Sequence, residues 1–431
     1  MKDNFFIHHL NHACVELITP NSSIITDPWI YGSCWANKLS LADKTSSPKA
    51  SSYDYVFLSH SHSDHWHESI KLLDAKIQDS TFLLPVFGVN DYMTKNLRTH
   101  LTSKNKIIRL TGHSGSIFLN PQQKLHYVLD IEEHDASLII ETQDYPSVYI
   151  QTDNLMDSDK ELELFKKRFS MQETSDIFIG LYIKRLTGIY PRFINGIHPT
   201  KSNLELEKIK DKKSFVKQST RIKKIGTTHN FLYASSLKYT DKVEYPFPAI
   251  DDHNVIEEYK KNNVHVRNLK PGDMIFRNGS YENRFEELSV SEEQFLCQYD
   301  NQKINKENFI KNLCCFIEKK IDDLSEISKT SAKNKSTKYN FIISLVDQNG
   351  NINSKRLEGK SAMEGCDQLK ELRFNINAIE STLNNKWCFP SMRELTNGGF
   401  YIYRSNKDHQ SEFEREVLKA IYLPNLKRFN Q

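Results

Sequence analysis

The chain has 431 residues, of which 38% are apolar, and its 58 basic and 55 acidic side chains leave a formal net charge of +3. A surplus that small gives no footprint for a phosphate backbone, so nucleic acid is set aside as a partner. The first residues show no basic-then-apolar leader, and no run reaches the ~18 apolar residues of a membrane span, which predicts a cytoplasmic chain with no integral membrane segment.

In chain order, CVELIT (14–19) and SSIITD (22–27) are β-rich and separated by Pro20-Asn21, which predicts a hairpin ending in Asp27-Pro28. YVFLS (55–59) is a short apolar run of the buried-strand kind. Further strands are predicted at FLLP (82–85), KIIRL (106–110), SIFL (116–119), LHYVLDI (125–131), SLIIET (137–142) and SVYIQT (147–152). Helices are predicted at about 66–76, 88–98 and 201–218. The alternation fits sheets covered by helices rather than an all-helical bundle.

The character changes near residue 281. FIKNLCCFIEKKIDDL (309–324) repeats apolar residues at helical spacing, and Cys314-Cys315 within it read as core packing. SKTSAKNKSTK (328–338) reads as a polar linker. YNFIISLV (339–346) runs as a strand toward Asn349-Gly350, and GFYIYRS (399–405) is another strand behind a Gly-Gly turn. The chain is therefore divided into a catalytic domain, 1–280, and a smaller α+β accessory domain, 281–431. The seven cysteines are scattered, and none forms a C-x-x-C pair. That excludes a disulfide framework or a zinc ribbon. The spacing of a Rieske iron–sulfur centre is missing as well.

The informative stretch is His60-Ser61-His62-Ser63-Asp64-His65-Trp66-His67, directly after the strand at 55–59. Imidazole nitrogen and carboxylate oxygen are suitable ligands for zinc, iron or manganese. His60 and His62 share a face by the period-two rule, and Asp64 and His65 follow from the next turn. So many titratable groups packed together need a compensating charge, and a cation provides one.

H-x-H-x-D-H after a strand resembles the signature of the metallo-β-lactamase superfamily. The upstream Asn11-His12-Ala13 and the later Ile24-Ile25-Thr26-Asp27-Pro28-Trp29 resemble the opening of its lactonase-like and phospholipase D-like branch, with Asn11 where glycine is usual. The resemblance implies an α+β fold: an αβ/βα sandwich over roughly residues 5–280, with two divalent metal ions at one edge of two packed sheets. It further implies that Asp153 bridges the ions, that a third ligand precedes a strand at His134 (or at Glu132 or Glu133), and that the last ligand is a histidine after a late strand. His229 is assigned that last place, with His198 as the rival. His12 falls near the site and is assigned, with Asp64, to the catalytic group.

Among the other aromatic side chains, His8, His9, His113, His126, His253 and His265 have no spacing partner, and His67 is read as solvent-facing. Trp29 and Trp35 are read either as pocket lining or as packing. The lysines between Lys208 and Lys224 are read as a solvated face.

The expected activity is hydrolysis of a small-molecule ester, lactone, amide or phosphodiester, with zinc as the first choice of metal and iron or manganese as alternatives. The alternative is a di-iron monooxygenase. The order of segments, including Lys270-Pro271-Gly272-Asp273, resembles the catalytic half of CMP-N-acetylneuraminate monooxygenases. A nucleotide-linked substrate and a separate reductase would follow from that reading. A degenerate, non-catalytic scaffold would lack Asp153, which is present. The sequence leaves a homo-oligomer open.

Overall fold

A computed structural model of the chain describes residues 4–34, 39–87, 97, 104–130, 135–154, 177–181, 193–194, 213, 215–234, 237–239, 252–290, 305–329, 337–346, 352–361, 369–376, 380 and 400–404. Strands are numbered in chain order. In the first sheet, β1 (Phe6–Asn11), β2 (Cys14–Ile18) and β3 (Ser23–Thr26) are antiparallel neighbours. Next to β3, β6 (Tyr55–Phe57), β7 (Thr81–Pro85) and β8 (Lys106–Leu110) follow in parallel. On the other side, β18 (Asp273–Phe276) returns to pair with β1 and carries β19 (Tyr281–Asn283) at the edge.

The second sheet is antiparallel through β9 (Ser114–Asn120), β10 (Gln123–Asp130), β11 (Asp135–Thr142) and β12 (Val148–Ile150). It continues in parallel through β13 (Ile177–Leu181), β15 (His229–Tyr233) and β17 (Arg267–Asn268). A hairpin of β4 (Ser33–Cys34) and β5 (Leu39–Leu41) joins β16 (Leu237–Tyr239) in a small third sheet.

Strand periodicity sets the layers. Leu138, Ile140, Val148, Ile150, Ile177, Ile179, Phe231 and Tyr233 face the first sheet and share one core with Ile7, Leu10, Val15, Leu17, Val56 and Leu83. The intervening Ile139, Tyr149, Phe178 and Leu232 face outward. They are covered by a helix over 215–225, here α2, and by α3 (Asp252–Lys261), through Phe215, Ile222, Val255 and Tyr259. This is the expected two-sheet sandwich of an α+β domain.

The local outcomes differ from the reading of the sequence in informative ways. β1 is a central strand, although the sequence reading places no strand there and gives its two histidines no partner. His8 is buried and its Nδ1–H donates to Glu16 at 2.7 Å, while Ser46 Oγ stands 3.1 Å from its Nε2. Glu16 also accepts from the Lys49 and Ala50 amides and the Tyr53 hydroxyl. A partner eight residues away across a hairpin is invisible to a local pattern. The helix expected at 66–76 is a 3-10 turn, Glu68–Leu73, followed by one α turn, α1 (Asp74–Ile77), because Leu73 at φ −102° and ψ 6° breaks the run. His67, expected in solvent, is buried: it accepts from the Ser69 amide as the cap of that turn, and its Nε2–H donates to the Ser33 carbonyl at 3.0 Å. The helix expected at 88–98 lies outside the described residues, Leu97 apart.

Farther along, α4 (Lys306–Lys329) buries Phe309, Ile310, Leu313, Cys314 and Ile317. Cys315, taken for core, is exposed, since it falls off that stripe. A five-stranded sheet has the order β14, β23, β22, β20, β21, from β20 (Thr337–Val346), β21 (Ile352–Ser361), β22 (Leu369–Asn375), β23 (Phe400–Arg404) and β14 (Phe193–Ile194). β14 thus comes from mid-chain. The first body in turn holds residues beyond 280, because the Ser47 amide donates to the Glu286 carbonyl and the Leu288 amide to Thr45. No helix among the described residues is long and apolar enough to cross a membrane.

Candidate metal centre

Five chain segments meet at one edge of the sandwich. They are the β1–β2 turn with His12, the end of β3 with Asp27, the loop after β6 with His60 to His65, the start of β11 with Asp135, and the residue pair Thr152-Asp153 after β12. In three of these segments a non-glycine residue adopts left-handed φ, His12 at 39°, Asp27 at 40° and Thr152 at 52°, and Ala234 after β15 does so at 63°. That conformation is costly for a β-branched residue such as Thr152, and such strain persists where surrounding contacts over-determine it.

Asp27 organises the histidine loop. Its Oδ1 accepts from the Ser59 amide at 2.7 Å, and its Oδ2 accepts from the Ser59 hydroxyl at 2.7 Å and from His65 Nδ1–H at 2.8 Å. The Ser59 proton is committed to that carboxylate, so Ser59 Oγ accepts from His60 Nδ1–H at 2.9 Å. These bonds place the lone pairs of His60 and His65 on Nε2, which is how second partners orient metal-binding imidazoles. His60 Nε2 lies 2.7 Å from His62 Nδ1.

The carboxylates divide between two halves. Asp135 Oδ1 is 3.5 Å from His60 Nε2, and Asp64 Oδ2 is 3.8 Å from His65 Nε2. Asp153 turns Oδ2 toward His60 at 3.8 Å and Oδ1 toward His65 at 3.4 Å. Donors held about 2.1 Å from one ion stand roughly 3–3.5 Å apart, so the contacts of His60 with Asp135 and of His65 with Asp153 suit edges of a coordination polyhedron better than hydrogen bonds. Asp64 Oδ1 and His65 Nε2 are buried and find no hydrogen-bond partner among the described residues. Three groups emerge, each able to place its ligand atoms within 4.8 Å: His12, Asp64 and His65; His60, His62 and Asp135; and His60, His65 and Asp153. The residues therefore fit a metal ion.

The electrostatics agree. Burial works against charge at Asp153, yet His65, His62 and His12 hold its pKa down to about 2. Asp64 is likewise held well below the usual carboxylate range by His65 and His12 against the opposing effect of burial. Burial also opposes an imidazolium at His65, but Asp153, Asp27 and Asp64 together raise its pKa well above the ordinary value. The carboxylates demand positive charge in a place that keeps water out. Asp153 retains 28% side-chain exposure, and His62 is half-buried beside it, so the centre opens at these two residues.

Of the residues expected from sequence, His12, His60, His62, Asp64, His65 and Asp153 meet here. His229 does not. It begins β15, paired with Ile177 at the start of β13, whereas Asp153 follows the far end of β12. A Cβ on Gly279 would run into the His229 ring, which fixes that ring at the opposite edge. The end of β15 that does reach the centre carries Tyr233 and Ala234, and the Ala234 amide donates to the His12 carbonyl at 2.9 Å. His134, Glu132, Glu133, His198 and Trp35 lie outside the described residues. Trp29 is fully buried with Cys34 and Leu39, so it packs rather than lines an opening. Sequence reasoning missed Asp27 and Ser59 as positioning groups, Asp135 as a donor, and the buried Tyr233, whose phenol is kept protonated by burial and by Asp27 and Asp153. Asp135 was within reach of the pattern, one place after His134.

Residues 6–144, about a third of the chain, match the family model described as the beta-lactamase superfamily domain. This part of the chain is a β-lactamase superfamily domain. It contributes β1 to β11 of the two-sheet sandwich described above. Solved structures with a similar outline include Igni18, a metallo hydrolase from Ignicoccus hospitalis, at 12% identity over 63% of this chain and 97% of that one, with a TM-score of 0.38. A possible metal-dependent hydrolase from Veillonella parvula matches at 14% over 63% and 99%, with a TM-score of 0.42. CmlA, a diiron β-hydroxylase from Streptomyces venezuelae, matches at 11% over 66% of this chain and 55% of its own, with a TM-score of 0.41. Likenesses at this level assign neither an activity nor a substrate to the superfamily domain. No curated protein matches the chain in sequence.

Proposed function

We propose that this chain is a metal-dependent hydrolase of small molecules with a dinuclear centre. The observation that supports it most is Asp153, which offers one carboxylate oxygen to each half of the cluster. His60, His62 and Asp135 would hold one ion, Asp64 and His65 the other, with Asp153 between them. Two divalent ions about 3.5–4 Å apart supply an ionised water at neutral pH and polarise a carbonyl or phosphoryl oxygen. The chain's own residues do the rest. Asp27 and Ser59 hold the imidazoles in the metal-binding tautomer. Asp64, kept ionised by His65 and His12 against its burial, supplies negative charge to the second half. Substrate enters over His62 and Asp153.

A second reading, a di-iron oxygenase with a separate reductase, is favoured by Asp135. With it, the first half holds two imidazoles and one carboxylate beside the shared Asp153, a donor set that suits non-haem iron. Elemental analysis of the purified chain separates the readings. Zinc, with turnover of p-nitrophenyl esters or bis(p-nitrophenyl) phosphate that Asp153→Ala abolishes, supports the hydrolase. Iron with a visible absorption band and reductant-dependent oxygen uptake supports the oxygenase. A folded chain that takes up neither metal refutes both.

A further inference from the structure

We infer that His12 is a metal ligand: it completes the second half-site from the β1–β2 turn, in the place that no side chain of β15 fills. This rests on the proposed dinuclear centre and goes beyond it. His12 Nε2 lies 3.4 Å from Asp64 Oδ2, the spacing of two donors around one ion, and with His65 the three ligand atoms fall within 4.8 Å. Its backbone is held in a left-handed turn at φ 39°. There its amide donates to Asn11 Oδ1 at 2.9 Å, and its carbonyl accepts from Ala234 N–H and His9 Nε2–H, each at 2.9 Å. Asn11 is tied in turn to Thr45 and the Asp43 carbonyl at 3.0 Å each. A turn anchored on four sides, with strain at its tip, is a device for aiming one side chain.

The ring is not placed to meet substrate. It is 2% exposed and meets Trp29 edge-on at 5.3 Å and His65 at 5.8 Å. An imidazole so enclosed, facing an ionised carboxylate and a neighbouring imidazole, can act on a cation between them and on little else. With His12 included, the halves become alike: His60, His62 and Asp135 on one side, His12, His65 and Asp64 on the other, and Asp153 shared.

The test uses the full chain loaded with zinc and freed of excess metal. Wild type should carry about two ions. His12→Gly, which suits the left-handed backbone, should carry about one, and free imidazole should restore the second by filling the vacated space. Retention of two ions by His12→Gly, loss of both from the folded variant, or a loss that imidazole does not reverse overturns the assignment. Fewer than two ions on wild type would instead sink the dinuclear reading itself. A measurement free of folding effects uses cobalt-loaded wild type. Four paramagnetically shifted imidazole N–H resonances are expected, from His12, His60, His62 and His65, and three would exclude His12.

Discussion

Asp27→Asn isolates how the tertiary structure prepares the centre. Asp27 is fully buried and touches no proposed ion, yet it receives three hydrogen bonds, from the Ser59 amide, the Ser59 hydroxyl and His65 Nδ1. Asparagine keeps the volume and tolerates the φ of 40° that Asp27 adopts, so the backbone should survive. One of its two terminal atoms must, however, be an N–H donor. If that group faces His65 Nδ1, the ring proton moves to Nε2 and blocks the metal-facing lone pair. If it takes the place of Oδ1, it opposes the Ser59 amide N–H, donor against donor, and the loop that carries His60 loses that anchor. Loss of an outer partner of this kind costs about 10–100-fold in metal affinity, or roughly 1.4–2.8 kcal/mol. Losing charge-assisted hydrogen bonds should also lower folding stability by about 1.5–3 kcal/mol. Competition against a chromogenic chelator reads the affinity of each ion, and a chemical melt of the metal-free chain reads the stability. The weaker affinity should appear most strongly for the ion on the His65 side. Zinc affinities within twofold of wild type for both ions would refute the reasoning.

Three further outcomes are expected. His60→Ala combined with His62→Ala should remove the ion beside Asp135 while leaving the far-ultraviolet spectrum unchanged, and two ions retained per chain would reject the site. His229→Ala should leave metal content untouched, whereas Gly279→Ala, forcing a Cβ against the His229 ring at φ +73°, should destabilise the chain by about 1–3 kcal/mol in a thermal melt without altering metal content. Glu68 gives a pH signature. Burial raises its pKa from 4.5 to about 7, against the pull of Lys71, so the folded chain binds that proton more tightly than the unfolded one. Its contribution to stability is therefore full below about pH 4.5 and falls as pH rises to about 7, by up to about 3 kcal/mol. Glu68→Gln should flatten that slope relative to wild type, and an unchanged slope would mean that another group carries it.

The sequence by itself determined the strands and the residue types of the candidate centre. Short apolar runs such as YVFLS, SLIIET and SVYIQT read as buried strands, H-x-H-x-D-H packs its donors within one turn, and the sandwich followed from the resemblance those motifs carry. Local spacing carried the strands and the donors, because those contacts are made within a few residues. What lay beyond was decided by pairing across the chain. β1 became a central strand only because Glu16, Ser46 and β18 meet its histidines and its edge. His229 looked like a ligand because it adjoins a late strand, but the parallel register with β13 and β12 puts the start of β15 at the wrong edge, and no local pattern states which end of a strand faces a site. Asp135 joined the cluster for the complementary reason: its strand start and the hairpin turn of His12, 123 residues apart in the numbering, arrive at the same edge once the two sheets close on one core. Residue types and short spacings are written along the chain, whereas the side from which each donor approaches follows from strand direction and register, which exist only after folding.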